Sequence, residues 1–316
     1  MFIYKLMRIG LVFGGDTTEG EVSKHSASGV RVALQKLGYD VIDIEFDKNI
    51  AQHIADANVD VIYNSMHGQY GEDGRLQGLL DIMEIPYTHS GLLASAMAMN
   101  KAICKNIFHE LGIKTPEGIL INKEDLFSDA WKEKVASSNI FNDVRDIFVK
   151  PIGDGSSRDV FLVKEIESFD FKSVELTTSS KKFLIEKKVF GREIQVAVLG
   201  SEPQAIGMLE VVPSGEFYDY NSKYSENGAK HVQPNIVPDT AQRIMEDAVK
   251  MHQALGLKDI SRSEFLLTND NDIVALEINS HPGFTATSIV PEIAMNAGMT
   301  YEEIVEMLVK NAKFGC

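Results

Sequence analysis

The sequence predicts an α/β protein in which an N-terminal parallel-sheet domain precedes two domains of mixed α+β character, over residues 1–89, 90–185 and 186–316. Three observations predict this organisation. The 316 residues suffice for about two or three domains. The hydrophobic fraction of 44% and the charged fraction of 24% are ordinary for a globular chain. Strand and helix patterns alternate through the first hundred residues and give way to short strands further on.

The N-terminal elements follow from hydrophobic periodicity and from the glycines that interrupt it. They are strands over 8–13, 39–46 and 59–66 and helices over 22–37 and 50–57. Strands separated by helices form parallel sheets, whose ligands lie beyond the carboxyl ends of the strands. The segments 14–16 and 67–68 fall at those ends.

The remaining elements begin with a long helix, predicted over 92–111 and ended by Gly112 and the Thr115-Pro116 turn. Shorter elements follow: strands over 118–121, 146–151, 160–163, 183–189, 193–199 and 205–212, helices over 240–255 and 301–312, and a hairpin over 262–279.

The composition favours a reduced, cytoplasmic protein. The 31 Lys and Arg residues against 46 Asp and Glu residues give a net charge of −15, which weighs against nonspecific binding to nucleic acid or to a membrane surface. Cys104 and Cys316 form no disulfide framework and no metal-thiolate motif. Lys5 and Arg8 interrupt the apolar start, so no signal peptide is predicted. No apolar run approaches the roughly 18 residues of a membrane span.

The most informative segment is the predicted hairpin. With residues 269–272 taken as a four-residue loop, Glu264 lies opposite Glu277 and Arg262 opposite Asn279. All four side chains share one face, because side chains alternate along a strand. Like charges directly opposite destabilise a sheet by roughly 0.2–1 kcal/mol, and a hard divalent cation such as Mg²⁺ would relieve this repulsion. The alternative is a solvated face on which Arg262 compensates the charge.

Three further segments carry polar residues in glycine-rich or aromatic surroundings. A strand delivers Lys150 to the loop 153–157, where free amides can cradle phosphate, although such a loop is often only a turn. The segment 67–74 has three glycines at a strand end, which is typical of a ligand-facing loop and also of an ordinary turn. Aromatic residues in the polar stretch 217–234 suggest a lid. The P-loop and Rossmann motifs are absent from the sequence.

Together and in this order, these segments resemble the D-alanine–D-alanine ligases of the ATP-grasp superfamily, nearly end to end. The motifs that carry the resemblance are HGQYGEDGRLQG (67–78), PYTHSG (86–91), VKPIGDGSS (149–157), FYDYNSKY (217–224) and LEINSHPGFTATSIVP (276–291). The resemblance implies a pre-ATP-grasp domain followed by two ATP-grasp domains. It also implies that ATP phosphorylates the carboxylate of one D-alanine and that the amine of a second attacks the acyl phosphate. The products are the dipeptide for peptidoglycan precursor synthesis, ADP and phosphate.

The resemblance also implies a nucleotide and metal site. Its ATP-binding residues are Lys101 and Lys150 at the phosphates, with Glu186, Lys187, Val189 and Glu193 at adenine and ribose. Its ligands for Mg²⁺ or Mn²⁺, as two ions, are Glu264, Glu277 and Asn279. In such sites the cations bridge phosphate oxygens while the transferred charge develops.

On the amino-acid side, the resemblance assigns Glu19 to the ammonium of the first D-alanine. Arg262 and the Gly283 amide match the donors that stabilise the tetrahedral oxyanion. The residues that match substrate binding are His67, Lys223 and Ser288, and those that match a hydrogen-bonded trio closing the lid are Ser156, Glu193 and Tyr224. A homodimer is implied by analogy with relatives.

The sequence departs from the family pattern at several positions. Glu264 and Asn100 stand where Asp is usual, and Asp154 stands where Glu is usual. Arg158-Asp159 replaces a small apolar pair, and Ser280-His281 replaces Thr and an apolar residue. The metal geometry and the nucleotide affinity therefore stay open.

Two alternative functions stay open beside this one. Another ATP-grasp ligase, for instance one that makes D-alanine–D-lactate, is the first, and Tyr224 beside Lys223 favours an amine acceptor instead. A nucleotide-binding relative without catalysis is the second. The intact set of Lys101, Lys150, Arg262, Glu277 and Asn279 argues against it.

Overall fold

The computed structural model describes residues 7–15, 19–142, 144–213, 215 and 228–315. Three sheets of three, four and five strands follow one another along these residues. Every helix within them is too short or too polar to cross a membrane.

The N-terminal sheet is parallel, as the alternation of strands and helices predicts. Its elements are β1 (Arg8–Phe13), α1 (Gly20–Lys36), β2 (Asp40–Glu45), α2 (Ile50–Ala57), β3 (Val61–Asn64) and α3 (Arg75–Ile82). The strand order is β2-β1-β3, and both neighbours run parallel to the central β1. The carboxyl ends of β1 and β3 therefore open toward the same edge, where residues 14–15 and 67–68 lie.

The single long helix predicted over 92–111 is wrong, because the structure has two helices, α4 (Leu92–Met99) and α5 (Lys101–Glu110). Asn100 separates them in an extended conformation, with φ −92° and ψ 99°. Its side-chain oxygen accepts hydrogen bonds from the amides of Ala102 (3.1 Å) and Ile103 (3.2 Å). These amides would otherwise lack partners in the first turn of α5, so Asn100 serves as its N-cap.

The second sheet has four antiparallel strands. The elements are β4 (Gly118–Asn122), α6 (Lys123–Leu126), α7 (Ala130–Ser137), β5 (Ile147–Pro151), β6 (Phe161–Val163) and β7 (Lys182–Lys187), with short 3₁₀ helices over Asn139–Phe141 and Phe171–Ser173. The strand order is β4-β7-β5-β6. This order places the end of β7 beside the start of β5, with Phe148 paired to Glu186.

The third sheet has five antiparallel strands and is followed by two helices. The elements are β8 (Arg192–Gly200), β9 (Gln204–Pro213), β10 (Ala229–Val232), α8 (Pro238–Ala254), β11 (Asp259–Leu267), β12 (Ile273–Asn279), α9 (Ile289–Asn296) and α10 (Tyr301–Lys310). The strand order is β10-β9-β8-β11-β12. The helix α9 has no counterpart among the elements predicted from the sequence.

The β11–β12 hairpin has the predicted pairs but a different loop. Glu264 pairs with Glu277 and Arg262 with Asn279, as predicted. However, Leu267 pairs with Ile273, so the loop has five residues instead of the predicted four at 269–272. A register shift after Glu264 leaves an extra residue in β12 and restores the predicted pairing.

Two hydrophobic clusters tie distant parts of the chain together. In one, Leu11 of β1 and Leu34 of α1 pack with Ile304 of α10. In the other, Phe108 of α5 packs with Phe265 of β11 and with the rest of the five-stranded sheet. The C-terminal helix α10 therefore packs against β1 and α1, and α5 packs on the last sheet. The division at residues 89/90 and 185/186 stays a prediction.

Candidate active site

A cavity of about 400 Å³ lies between the four-stranded and five-stranded sheets. Phe148 of β5, Leu266 of β11 and Leu276 of β12 give it apolar walls. All six residues predicted to bind ATP line it: Lys101, Lys150, Glu186, Lys187, Val189 and Glu193. Apolar walls with a few polar groups are typical of a small-molecule site, and a planar base fits between such walls.

A buried carboxylate stands between two lysines at one side of this cavity. Lys150 Nζ is 2.5 Å from Glu186 Oε2, and Lys105 Nζ contacts Glu186 Oε1. Burial of Glu186 opposes its charge, but Lys150 and Lys105 outweigh that effect and lower the pKa of its carboxyl below the usual value. Burial of the Lys150 ammonium is likewise outweighed, chiefly by Glu186, and the pKa of Lys150 is raised.

Lys101 joins the glycine loop to the hairpin. Its ammonium donates to the carbonyl of Asp154 at 2.7 Å and lies 3.4 Å from Glu277 Oε2. Its backbone amide donates to the carbonyl of Ile152 at 2.8 Å. The N-cap at Asn100 makes Lys101 the first residue of α5, so the helix start directs this lysine to the loop.

Lys187 and Glu193 each have a partner at the cavity wall. Lys187 Nζ pairs with Glu117 Oε2 at 2.6 Å. Glu193 Oε1 accepts a hydrogen bond from the side-chain amide (Nε2) of Gln195 at 2.8 Å. Both side chains are therefore held in place at the wall of the cavity.

The paired glutamates of the hairpin also reach the cavity. Glu264 is only 5% exposed, and Arg262 lies 2.5 Å from its Oε1 atom. The solvated-face interpretation is therefore wrong for Glu264, although Arg262 does compensate its charge. Glu264 and Glu277 line the large cavity, and Asn279 lines a smaller cavity that also contacts Glu277.

These three residues fit a Mg²⁺ site that substrate completes. Within the described ranges, no group of three or more His, Cys, Asp and Glu side chains is arranged to hold a metal ion. The hairpin offers two carboxylates and one amide oxygen, and that oxygen accepts a hydrogen bond from the His281 amide at 2.7 Å. Mg²⁺ is commonly bound through one or two carboxylates together with substrate phosphates and water. Two opposed carboxylates beside a polyphosphate-sized cavity match that chemistry.

The loop after β5 reaches the N-terminal domain. Ser156 Oγ donates a hydrogen bond to Glu19 Oε1, across 137 residues of sequence. Asp159 Oδ2 anchors the far end of the loop by accepting hydrogen bonds from the amides of Thr177 (2.9 Å) and Thr178 (2.7 Å). Glu19 lines a cavity of about 160 Å³ beside the loop.

Glu19 lies against Gly68, the fourth residue after the end of β3. Gly68 has φ +67°, and a Cβ atom there would lie 1.7 Å from Glu19 Oε2. Any larger residue at position 68 would displace this carboxylate. Glu19 itself is 7% exposed.

His67, which directly precedes Gly68, has both ring nitrogens engaged within the protein. Nε2 is 2.9 Å from Ser26 Oγ, and Nδ1 is 3.1 Å from Glu72 Oε1. The ring is 4% exposed. Contact with a substrate would have to replace one of these partners, so the substrate-binding role predicted for His67 stays a prediction.

Gly283 and Ser288 lie close together after β12. A Cβ atom at Gly283 would be 3.4 Å from Ser288 Oγ. Ser288 is the N-cap residue of α9, and its hydroxyl accepts a hydrogen bond from the amide of Thr285 at 3.0 Å. The remaining predicted site residues, Lys223 and Tyr224, lie outside the described residues, as does most of the predicted lid.

Sequence reasoning missed Lys105 and Gln195, which hold predicted site residues in place. Spacing alone could have indicated both. Lys105 follows Lys101 by one helical turn, and Gln195 follows Glu193 by two residues on the same face of a strand.

Two family models and several known proteins match this chain. Residues 107–310 match the family model described as D-ala D-ala ligase C-terminus, and residues 48–90 match D-ala D-ala ligase N-terminus. A D-alanine--D-alanine ligase of Wolbachia pipientis subsp. Culex pipiens (strain wPip) is 41% identical over 307 residues, covering 96% of this chain and 93% of the relative.

Solved structures of such ligases share the fold. D-alanyl-alanine synthetase A from Vibrio cholerae superposes with a TM-score of 0.81 at 25% identity, covering 97% of this chain and 98% of the other. D-alanine--D-alanine ligase from Bacillus anthracis, solved in complex with ATP, superposes with a TM-score of 0.78 at 24% identity, covering 96% of each chain. The predicted parallel-sheet domain followed by an ATP-grasp fold is thereby confirmed. The chain belongs to the D-alanine–D-alanine ligase family, whose members are ATP-dependent ligases.

Proposed function

We propose that this protein joins two D-alanine molecules at the expense of ATP and releases D-alanyl-D-alanine, ADP and phosphate. The observation that carries the proposal is the position of Lys101. Its ammonium contacts both Glu277, at the wall of the large cavity, and the loop whose Ser156 contacts Glu19. The phosphate end of a bound nucleotide would therefore meet the amino-acid site at this lysine.

The large cavity is the proposed ATP site. Lys101 and Lys150 bind the phosphates, since they are the lysines at the loop and β5 side of the cavity. The adenine and ribose lie between the apolar walls and are held by Glu186, Lys187, Val189 and Glu193. The Bacillus anthracis relative, whose structure contains ATP, supports this assignment through its shared fold.

The hairpin is the proposed metal site. Glu264, Glu277 and Asn279 would hold Mg²⁺ or Mn²⁺, as two ions, next to the phosphates. Bound cations would supply Lewis-acid stabilisation of the charge on the transferred phosphoryl group. Arg262 pairs with Glu264 and Lys101 with Glu277, and these contacts hold the two carboxylates of the hairpin next to the cavity.

The proposed amino-acid site lies where the loop 153–157 meets the N-terminal domain, at the contact between Ser156 and Glu19. Glu19 pairs with the ammonium of the first D-alanine and holds its carboxylate toward the nucleotide. Once that carboxylate is phosphorylated, the second amine forms a bond to the carbonyl carbon. Phosphate leaves with the electron pair of the broken C–O bond and takes up the proton that the amine nitrogen loses. Arg262 and the amide of Gly283 donate to the oxygen that carries negative charge in between.

The second D-alanine is placed by Ser288. This residue starts α9, and a helix N-terminus with its free amides favours a carboxylate. Lys223 is proposed to assist there, and Ser156, Glu193 and Tyr224 to close the lid. His67, the first residue of the segment 67–74, is proposed to take part in substrate binding. We also propose a cytoplasmic location, a role in peptidoglycan precursor synthesis and a homodimer, each by analogy with the family.

The test measures three products from the same reaction. The purified protein is incubated with ATP, Mg²⁺ and D-alanine, and ADP, phosphate and dipeptide are quantified together. Equal amounts of the three are expected, with no dipeptide from L-alanine. D-lactate and D-serine, each offered beside D-alanine, report acceptor selectivity. Binding of nucleotide without any ligated product would contradict the proposal, and preferential formation of a depsipeptide would assign the alternative function.

A further inference from the structure

We propose that Lys105 is a positioning residue of the nucleotide site, which keeps the Glu186 carboxylate paired when Lys150 turns from Glu186 to the phosphates. This inference rests on the proposed binding of ATP in the large cavity. It goes beyond that proposal because Lys105 itself takes no part in lining the cavity.

The geometry around Glu186 shows two counter-charges for one carboxylate. Lys150 Nζ lies 2.5 Å from Oε2, and Lys105 Nζ contacts Oε1. All three side chains are withdrawn from water, with exposures of 3% for Glu186, 12% for Lys150 and 14% for Lys105. Lys105 also donates to the carbonyl of Pro116, so its ammonium is held by that carbonyl as well as by Glu186.

The two lysines approach Glu186 from different elements. Lys150 and Glu186 lie on the neighbouring strands β5 and β7 and both line the cavity. Lys105 comes from α5, one turn after Lys101, so the two lysines lie on the same face of that helix. Lys101 is thereby directed to the phosphate end of the cavity and Lys105 to the Glu186 carboxylate.

The need for a second lysine follows from the proposed role of Lys150. A carboxylate as buried as Glu186 is strongly destabilised when its counter-charge is removed. If Lys150 were the sole partner, its movement to a phosphate would strand that charge, and nucleotide binding would compete with the Lys150–Glu186 pair. Because Lys105 remains on Oε1, Lys150 can leave without this penalty. Glu186 then keeps both its charge and its position.

The first test compares nucleotide binding in charge-removing and charge-retaining variants. Lys105→Met should raise the Kd for Mg·ADP, measured by calorimetry, by about tenfold or more. Without Lys105, Lys150 is the remaining lysine beside Glu186, and its movement to a phosphate would leave the buried carboxylate without a counter-charge. The KM for ATP should rise in parallel, while the KM for D-alanine stays within about twofold. Lys105→Arg keeps the charge and should restore most of the affinity. Lys114→Met, which removes an exposed lysine paired with Asp272, is the matched control and should change nothing.

The second test is a double-mutant cycle with Glu186→Gln. The amide carries no charge, so Lys105→Met in that background should change the Kd for Mg·ADP by less than about twofold. If the lysine mattered only for the packing of α5, the two effects would multiply instead. If Lys105→Met fails to fold, Lys105→Gln replaces it in the cycle, and the same comparison of Kd values applies.

The outcomes separate this inference from the proposed function. Unchanged Mg·ADP affinity in a folded Lys105→Met variant, or multiplying effects in the cycle, would overturn the role of Lys105 while leaving dipeptide synthesis by the wild type intact. Failure of the wild type to make dipeptide while it binds Mg·ADP would overturn the ligase proposal alone. A wild type that binds no nucleotide would overturn both.

Discussion

His89 and His281 stack face to face, with ring centroids 3.8 Å apart and an interplanar angle of 17°. His89 lies in the loop that leads into α4, and His281 follows β12 two residues before Gly283. Both are almost fully buried, at 1% and 2% exposure, and Asn64 Nδ2 lies 3.3 Å from His281 Nδ1. The stack therefore fastens the loop of the proposed oxyanion site to the N-terminal domain.

This stack predicts that the protein loses stability as the pH falls below about 6.5. Burial, together with the nearby Lys258 and His67, lowers the pKa of His89 to about 3. Burial, with His89 and His67, lowers the pKa of His281 well below its usual value. In the unfolded chain a histidine has a pKa of about 6.5, so below that pH the unfolded state binds protons that the folded state does not bind. For His89 the free energy of unfolding therefore rises with pH between about 3 and about 6.5. Each histidine contributes a slope of at most about 1.4 kcal/mol per pH unit.

The measurement is urea unfolding of the wild type and His281→Phe between pH 4 and pH 7. The phenylalanine keeps an aromatic ring against His89, and it should flatten the pH dependence by about one histidine's share. His25→Asn, at an exposed position, should leave the dependence as it is. A His281→Phe variant with the wild-type slope would show that this ring does not resist protonation.

Arg262→Met should lower kcat by about 10²-fold or more while the Kd for Mg·ADP changes little. The guanidinium mainly stabilises the negative charge that develops in the transition state, so removing it should lower kcat. Arg262→Lys should recover part of the activity, because the charge remains even though the fixed fork of donors is lost. Steady-state kinetics with saturating D-alanine checks this, and near-normal turnover of Arg262→Met would remove the residue from the mechanism.

Glu277→Gln should raise the Mg²⁺ concentration needed for half-maximal ADP release by about tenfold or more, because one of two opposed carboxylates is lost. Excess chelator should abolish ADP release from the wild type. Glu110→Gln, at an exposed position on α5, is the control and should keep the wild-type Mg²⁺ dependence. Activity that survives in chelator would contradict the metal site.

Asn100→Ala should lower the free energy of unfolding by about 1 kcal/mol, the usual value of an N-cap. Asn100→Asp accepts the same hydrogen bonds and should keep that stability. The KM for ATP should rise in the alanine variant, because Lys101 begins the helix that Asn100 caps. Asn296→Ala, at an exposed position on α9, should stay within about 0.5 kcal/mol of the wild type. Equal urea midpoints for Asn100→Ala and the wild type would show that the cap is dispensable.

Local features of this protein could be read from its sequence because their physical cause is local. Short apolar runs placed β1, β2 and β3, and the helices between them predicted that the strands run parallel. The pairing of Glu264 with Glu277 followed from side-chain alternation and a turn signal, even though the loop is one residue longer than predicted. The motif order identified the family, which the comparisons confirm.

The tertiary structure decided the features that depend on neighbours far along the chain. Asn100 interrupts an apolar run that reads as one helix, and the amide of Lys101 donates to the distant carbonyl of Ile152 at 2.8 Å instead of to a carbonyl of the preceding helical turn. The contact between Ser156 and Glu19 spans 137 residues, and that between Lys105 and Glu186 spans 81 residues. A sequence pattern states which face of an element is apolar, whereas the packing of three sheets determines which polar side chains then meet in the remaining space.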